Sequence, residues 1–249
     1  MRHLLLIALV AGAISLSAET TLSPEKASYG LRWGFVSVGT VEITLQPNPE
    51  SPDGGWVAVL DAQANAFMRK VHDFRTIITS EFPDDVSRSE GYDRDEQAPG
   101  DTHETFFDWE ENTARYSKNG DVRVPILLPG PVQDPLSIVF AFRTGAVPFE
   151  VGTHRIWVTD GKVVEECVFE ITGPETVKTP AGKFETLRIA ADFKGVRAIF
   201  ARPEGAPIHV WLTNDEKRIP VKLKSEATIG SFRSVLQNYE PGNDRNGGK

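Results

Sequence analysis

The stretch Ile208–Glu226, IHVWLTNDEKRIPVKLKSE, constrains the fold more than any other part of the chain. Its first five residues are β-branched, aromatic or apolar apart from one His, and the polar run that follows is rich in residues that tolerate turn geometry. Val221–Lys224 then alternates apolar and charged side chains, as a strand with one buried and one solvated face does. The stretch therefore predicts a β-hairpin.

The second half of the chain consists almost entirely of strand-like runs separated by turn signals. Between Thr153 and Leu236 these runs arrive roughly every 8–12 residues without helical segments between them, which is typical of antiparallel β-proteins. The predicted strands are His154–Thr159, Lys162–Ile171, Glu175–Thr179, Phe184–Phe193, Ala198–Arg202, the two strands of the hairpin and Ser231–Leu236. We therefore expect a mainly β fold, an antiparallel meander that forms a curved barrel-like or two-sheet shell.

Glycines interrupt the first strand-like segment, Tyr29–Gln46, at Gly30, Gly34 and Gly39. Glycine inside a strand marks a bulge, a bend or a close backbone approach, so we predict two sharply bent strands here. Further strands are predicted at Trp56–Gln63, Arg75–Glu81, Glu104–Asp108 and Thr113–Ser117.

Two short helices are predicted, over about residues 65–74 and 135–143. Asn65 precedes apolar residues at helical spacing and can cap the first helix. Asp134 and Pro135 suit the start of the second helix, and Gly145 suits its end. Since the second helix is strongly apolar, we expect it to pack against a sheet or to plug a barrel mouth.

The segment Met1–Ala18 has the features of a secretory signal peptide: a basic start, a short apolar run and small residues before Glu19. The apolar run is shorter than the ~20 residues that span a bilayer, although an N-terminal membrane anchor remains the alternative. We expect residues 19–240 to form a single β-rich domain and residues 241–249 a disordered tail. The protein is then exported to the periplasm or cell envelope, with no transmembrane span after signal cleavage.

The charge balance excludes one class of partner. The chain has 27 Lys and Arg against 35 Asp and Glu, and loss of Arg2 with the signal peptide leaves 26 against 35, a net charge of −9. This balance argues against a nucleic-acid partner and against purely electrostatic docking on anionic lipid. The single Cys167 forms no internal disulfide, and we interpret it as a buried thiol.

The stretch Pro83–Asp101 is strongly acidic and is the one candidate for a calcium site. It lacks the spacing of an EF-hand loop, and we interpret it as a solvated strand edge and loop. We predict neither a bound metal nor a cofactor for this chain.

A set of residues in the second half resembles the exported bacterial family of unknown function numbered 3108. The set follows the family's order and spacing, and the resemblance extends over about Tyr29–Tyr239, more loosely in its early part. Its members are Asp134-Pro135-Leu136-Ser137, Arg143, Val151-Gly152, Glu175-Thr176-Val177, Thr179 to Phe184, Trp211 to Asp215, Arg218 to Val221 and Ile229-Gly230-Ser231. The chain departs from the family at Asn214, where Asp is frequent.

The resemblance implies an envelope protein of mostly antiparallel strands whose activity is unknown, and it supplies no catalytic residues. Most of the shared residues have a sufficient structural explanation as turn, cap or core positions. We take five of them or their neighbours as candidate ligand-binding residues, namely Trp211, Arg143, His209, Asp215 and Arg218.

Three functions remain open. We favour a non-catalytic binding or carrier module for an apolar or envelope-derived ligand, such as a lipid, an acyl chain or a glycan, because aromatic-rich strands occur in an exported chain without a catalytic motif. The second is a structural or assembly protein of the envelope, in which the hairpin Ile208–Glu226 adds to another chain's sheet. The third is a carboxylate-based hydrolase or lyase acting on envelope glycan, with a site drawn from His154, His209, Asp108, Asp160, Glu165 and Asp215.

Overall fold

The computed structural model describes residues 21–52, 54–97, 100–197, 206–226 and 230–242. Over these ranges the chain forms fifteen strands, one α-helix (α1, Ser137–Thr144) and one short 3-10 turn (Met68–Lys70). The strands are β1 (Glu25–Trp33), β2 (Val36–Pro47), β3 (Trp56–Ala64), β4 (Arg75–Phe82), β5 (Gly91–Glu96), β6 (Asp101–Asp108), β7 (Thr113–Lys118), β8 (Asp121–Val122), β9 (Ile126–Leu127), β10 (Gly152–Thr159), β11 (Val164–Thr179), β12 (Gly182–Asp192), β13 (Ile208–Thr213), β14 (Pro220–Glu226) and β15 (Ser231–Pro241).

All fifteen strands belong to one sheet in which each strand pairs antiparallel with its neighbours. Two meanders, β1 to β8 and β10 to β15, are joined because β15 pairs with β1 along its whole length. The expected mainly β, antiparallel fold is therefore confirmed, and the two ends of the described chain meet in the middle of the sheet.

The curved sheet is closed by the segment around Gln133, which we call the strap, and not by a ladder of paired strands. Gln133 makes a parallel bridge to the outermost strand β10, since its N–H donates to the Trp157 carbonyl and its carbonyl accepts from the Thr159 N–H, both at 2.9 Å. On the other side the Gln133 side chain donates to the carbonyl of Val86, between β4 and β5. The strap thus ties the edge strand β10 to the middle of the first meander.

Helix α1 lies inside this shell and fills it. Seven of its eight residues are buried, all except Val139. The inner face of the sheet packs on it, with the Phe82 and Phe140 rings 5.2 Å apart and the Phe142 and Phe169 rings 5.5 Å apart. The helix ends at Gly145, whose left-handed φ of 89° suits glycine. The predicted second helix is confirmed as a core element.

The helix predicted over about residues 65–74 is shorter than expected, because only the 3-10 turn Met68–Lys70 forms there. Asn65 does cap this turn, since its Oδ1 accepts a hydrogen bond of 2.8 Å from the Met68 N–H. Strand pairing holds both ends of the connection, with Gln63 opposite Arg75.

The two bent strands predicted around the glycines are confirmed as β1 and β2, whose pairing shifts register between Leu31 and Arg32. At Gly39 a Cβ atom would lie only 2.1 Å from the carbonyl oxygen of Gln63, so the strands approach too closely there for any side chain. Gly34 has a φ of 56° and makes the β1–β2 turn.

The hairpin Ile208–Glu226 is confirmed as β13 and β14. It lies between β12 and β15, so both of its strands have partners on both sides. The expectation that this hairpin adds to another chain's sheet is therefore wrong, because it has no free edge to offer.

Some predictions fall on other parts of the chain. The signal peptide Met1–Ala18 and the strand Ala198–Arg202 lie outside the described residues. Strand β15 extends one residue into the predicted tail, to Pro241, and the Gly242 N–H donates to the carbonyl of Pro24. Across the described ranges, no helix is both long and apolar enough to cross a bilayer.

Candidate functional site

A groove of about 590 Å³ lies on the outer face of the sheet. The outer face is the one turned away from α1. The groove is lined by residues of β1, β2 and β15 and by the tip of the β11–β12 hairpin, namely Gly30, Arg32, Gly34, Phe35, Ser37, Gly39, Thr40, Pro180, Arg233, Val235 and Gln237. The groove is deep because several of these positions are glycines, which have no side chain to fill it.

One wall of the groove is the far half of the β11–β12 hairpin, which bends over the sheet. The pairing of β11 with β12 shifts between Thr172 and Glu175, and β11 then passes over β14 and β15. Glu175 fixes this overhang, since its carboxylate accepts a hydrogen bond of 2.8 Å from the Trp211 indole N–H. Pro180 at the hairpin tip therefore reaches the groove.

The groove carries a row of cations that face one another across the strands. Arg233 on β15 is directly opposite Arg32 on β1 and directly opposite Lys224 on β14. Like charges in directly opposite positions of a sheet are destabilising. Lys224 is paired with Glu226 at 2.5 Å, but within the described ranges no carboxylate pairs with either arginine.

The two arginines are the charged side chains among the residues that line the groove. Arg32 donates to the carbonyl of Phe35 at 2.6 Å, and among the described residues its other N–H groups have no acceptor. A guanidinium remains charged at any physiological pH, so the repulsion between the arginines cannot be relieved by loss of a proton. The groove is suited chemically to an anionic group such as phosphate or carboxylate.

Two of the five candidate ligand-binding residues lie beside this groove. Trp211 is 5% exposed under the overhanging hairpin, and the Lys222 ammonium lies 3.8 Å from its ring centre. His209 points to the same outer face, and its buried Nδ1 has no hydrogen-bond partner in the described structure. Burial, followed by the charges of Arg188 and Lys224, lowers the pKa of His209.

The other three candidates lie at the opposite end of the sheet, where two of them hold α1 in place and the third shapes a turn. Arg143 is buried and forms a bidentate ion pair with Glu25. Arg218 donates to the carbonyl of Phe142 at 2.8 Å. Asp215 accepts hydrogen bonds from the backbone N–H groups of Lys217 and Arg218 in the β13–β14 turn, as turn-forming Asp residues do.

A family model described as "Protein of unknown function (DUF3108)" matches residues 28–237. The chain belongs to the DUF3108 family. No curated protein matches it in sequence.

Two solved structures are similar to this chain at low sequence identity, and the first of them has the same fold. A β-barrel-like protein of the domain of unknown function DUF1849 from Brucella abortus is 12% identical, with a TM-score of 0.60 over 90% of this chain and 100% of that one. A Bacteroides fragilis protein with a YmcC-like fold is also 12% identical, with a TM-score of 0.38 over 88% of this chain and 97% of that one. The first likeness places DUF3108 among β-barrel-like folds.

The motif Asp134-Pro135-Leu136-Ser137 of this DUF3108 protein forms a buried network that anchors α1. One Asp134 oxygen accepts from the backbone N–H groups of Leu136 and Ser137 at 2.7 and 2.8 Å. The other accepts from the hydroxyls of Ser80 and Ser89 at 2.6 and 2.7 Å. Burial raises the pKa of Asp134, while these hydrogen bonds oppose the shift. The motif therefore has a structural role.

The interior of the DUF3108 shell has little free space. Two apolar cavities flank α1, one of about 40 Å³ and one of about 50 Å³. Each holds at most a few water-sized molecules, well below the ~300–1,000 Å³ of a typical ligand pocket. Because α1 fills the shell, it is part of the core and not a lid.

A second polar cluster lies where the two ends of the sheet approach each other. Ligand-type atoms of Glu96, Asp101 and His103 lie within 4.8 Å of one another. Three cations already pair with the two carboxylates, Arg94 and Arg197 with Glu96 and Lys118 with Asp101. A metal ion would have to displace them, so we interpret the cluster as an ion-pair network that helps to close the shell.

The residues considered for a hydrolase are dispersed. His154 is in register with the inward-facing Phe169 and, through Ala191, with Ile208, so the next residue, His209, faces the opposite side of the sheet. Three of the carboxylates hold separate turns by accepting backbone N–H groups, Asp108 between β6 and β7, Asp160 between β10 and β11 and Asp215 between β13 and β14.

Sequence reasoning missed the two groove arginines. Arg32 and Arg233 are about 200 positions apart and become neighbours only because β15 pairs with β1. No local pattern signals that pairing. The one available clue was the concentration of glycines in β1 and β2, which indicates a surface that something approaches closely.

Proposed function

We propose that this DUF3108 protein is a non-catalytic binding module of the cell envelope whose outer groove holds an anionic envelope-derived ligand. The shared chemistry of such ligands is a phosphate or carboxylate group, as carried by a phospholipid headgroup or an acidic glycan. The observation that carries the proposal is the directly opposed pair Arg32 and Arg233 in a groove of about 590 Å³.

The size of the groove supports a small-molecule ligand. Its volume lies within the ~300–1,000 Å³ typical of ligand pockets. Since the two interior cavities are about ten times smaller, an acyl chain inside the shell is not supported. The binding surface that we propose is therefore on the outside of the sheet, not within it.

The charge distribution supports an anionic ligand. The chain as a whole carries a net charge of −8, yet Lys222, Lys224, Arg233 and Arg32 lie together on one outer surface. Burial, followed by repulsion from Arg233, lowers the pKa of Lys222. An anion in the groove removes this repulsion, and the stabilisation would contribute to its affinity.

The proposed envelope location rests on the predicted signal peptide Met1–Ala18. In that compartment the groove is exposed to phospholipid headgroups and to envelope glycans. Since the chain has a single, buried Cys167, its fold is held together without an internal disulfide.

The test is native mass spectrometry of the protein recovered from the cells that produce it. We expect a bound molecule that carries phosphate or carboxylate on the wild type, and its loss from the double variant Arg32→Gln/Arg233→Gln. The matched control is Arg115→Gln, because Arg115 is an exposed arginine on the distant strand β7. Wild-type protein without ligand, or equal ligand on the double variant, would contradict the proposal.

A further inference from the structure

One end of the sheet carries a cluster of exposed apolar side chains on two neighbouring turns. The β1–β2 turn contributes Trp33, Phe35 and Val36, and the β3–β4 connection contributes Phe67 and Val71. Phe35 is 92% exposed, Val71 is 71% exposed and Phe67 is 63% exposed. We call these five residues the apolar rim.

Hydrogen bonds hold the two turns of the apolar rim next to each other. The Asn65 backbone N–H donates to the carbonyl of Val38 at 2.9 Å, and its side-chain amide donates to the carbonyl of Ser37 at 2.8 Å. These bonds fix the β3–β4 connection beside the start of β2. Single exposed apolar residues are ordinary on protein surfaces, whereas several of them on adjacent turns indicate an interaction site.

Cations border the apolar rim. Arg69 and Lys70 are exposed in the 3-10 turn between Phe67 and Val71, and exposed Arg32 precedes Trp33. Within residues 65–74 the only carboxylate is Asp73. The chain as a whole carries a net negative charge, which argues against electrostatic docking on anionic lipid. At this end of the sheet the local charge is positive.

We propose that the apolar rim docks on an anionic phospholipid bilayer, with the rings of Phe35 and Phe67 entering the headgroup region. Aromatic and aliphatic side chains flanked by Lys and Arg are the composition that binds such interfaces. Trp33, whose ring stacks on Phe232, is suited to the boundary between apolar and polar layers. Docking places the groove, which Phe35 also lines, at the membrane surface.

The experiment is co-sedimentation of the natural mature form with vesicles rich in phosphatidylglycerol and with vesicles of phosphatidylcholine alone. We expect binding to the anionic vesicles, and a roughly tenfold or larger loss for Phe67→Ser/Val71→Ser because two apolar side chains leave the interface. Replacement of Arg69 and Lys70 by Gln should reduce binding to the anionic vesicles by roughly tenfold. It should leave binding to the phosphatidylcholine vesicles unchanged.

The matched control is Val124→Ser/Leu127→Ser, which removes two even more exposed apolar side chains beside β7, away from the strands of the rim. Equal losses in rim and control variants, or no loss in the rim variant, would overturn the proposal. So would sedimentation velocity that shows a dimer in the wild type and a monomer in the rim variant, because a second copy would then cover the rim. Phe67 and Val71 do not line the groove. The rim variant therefore tests vesicle docking without changing the groove in which we propose that the ligand binds.

Discussion

Several pairs of like charge lie directly opposite each other in the sheet, and two of these pairs, one of each sign, can be compared. On β15 and β1, Arg233 lies opposite Arg32, and on β5 and β6, Asp93 lies opposite Glu104. Both pairs are unfavourable by the same rule of cross-strand repulsion. They differ in how the repulsion can be relieved.

The acidic pair can be relieved by a proton. Burial, followed by repulsion from Glu104, raises the pKa of Asp93 to about 6, so that mild acid neutralises one partner. The arginine pair has no such route, because guanidinium groups do not lose their protons in proteins. A bound anion can relieve the repulsion between the arginines, and a groove of suitable size lies over them.

The largest effect is expected from removing the side chain that supports the groove wall. Trp211→Ala deletes a ring that is 5% exposed beneath the hairpin, and it should lower the free energy of unfolding by ~3–5 kcal/mol. Trp211→Phe keeps a ring but loses the hydrogen bond to Glu175, so it should cost ~1–2 kcal/mol. Chemical denaturation measures both. A small loss for Trp211→Ala would show that the ring lines a ligand site without supporting the fold.

An intermediate effect is expected from relieving the arginine pair. Arg233→Gln should raise the free energy of unfolding at low salt by ~0.2–1 kcal/mol, because the repulsion with Arg32 and Lys224 disappears. Inorganic phosphate should stabilise the wild type more than this variant, since a ligand stabilises only the state that binds it. Thermal melts with and without phosphate check this. A destabilised Arg233→Gln would mean that the arginines are structurally required.

The smallest effect is expected from the acidic pair, and it depends on pH. The pKa of Asp93 is higher in the folded state than its ordinary value of 3.8, so the folded protein binds this proton more tightly than the unfolded chain. The charged Asp93 side chain therefore destabilises the folded state fully above pH 6. This destabilisation declines as the pH falls below 6 and vanishes below about pH 4.

Asp93→Asn should therefore raise the melting temperature at pH 8 and have little effect at pH 4. Asp121→Asn, a change at an exposed aspartate of β8, is the control. Equal stabilisation by Asp93→Asn at both pH values would show that proton uptake by Asp93 does not relieve the acidic pair.

Local features of the fold could be predicted from the sequence. The hairpin Ile208–Glu226 and the helix near residues 135–143 were predictable because alternation, turn chemistry and capping residues act over a few positions. The Asp134 motif was also correctly interpreted as a helix start, although its two serine partners come from distant β4 and the β4–β5 loop.

The features that depend on long-range contacts could not be predicted. The pairing of β15 with β1, the strap at Gln133 and the overhang that brings Pro180 to the groove each join residues far apart in the chain. Since residues alternate between the two faces of a sheet, even a correct list of strands does not reveal which outward-facing side chains become neighbours. Arginines that looked like ordinary surface residues thus form the centre of the candidate site.

The most direct test is calorimetric titration with dihexanoyl phosphatidylglycerol, a short-chain lipid that stays monomeric and carries one phosphate charge. We predict that the wild type and Arg115→Gln bind it with the same affinity, and that Arg233→Gln loses roughly tenfold or more, as expected for the loss of a charge-assisted hydrogen bond. If Arg233→Gln binds as tightly as the wild type, or if the wild type does not bind, the opposed arginines are not an anion site.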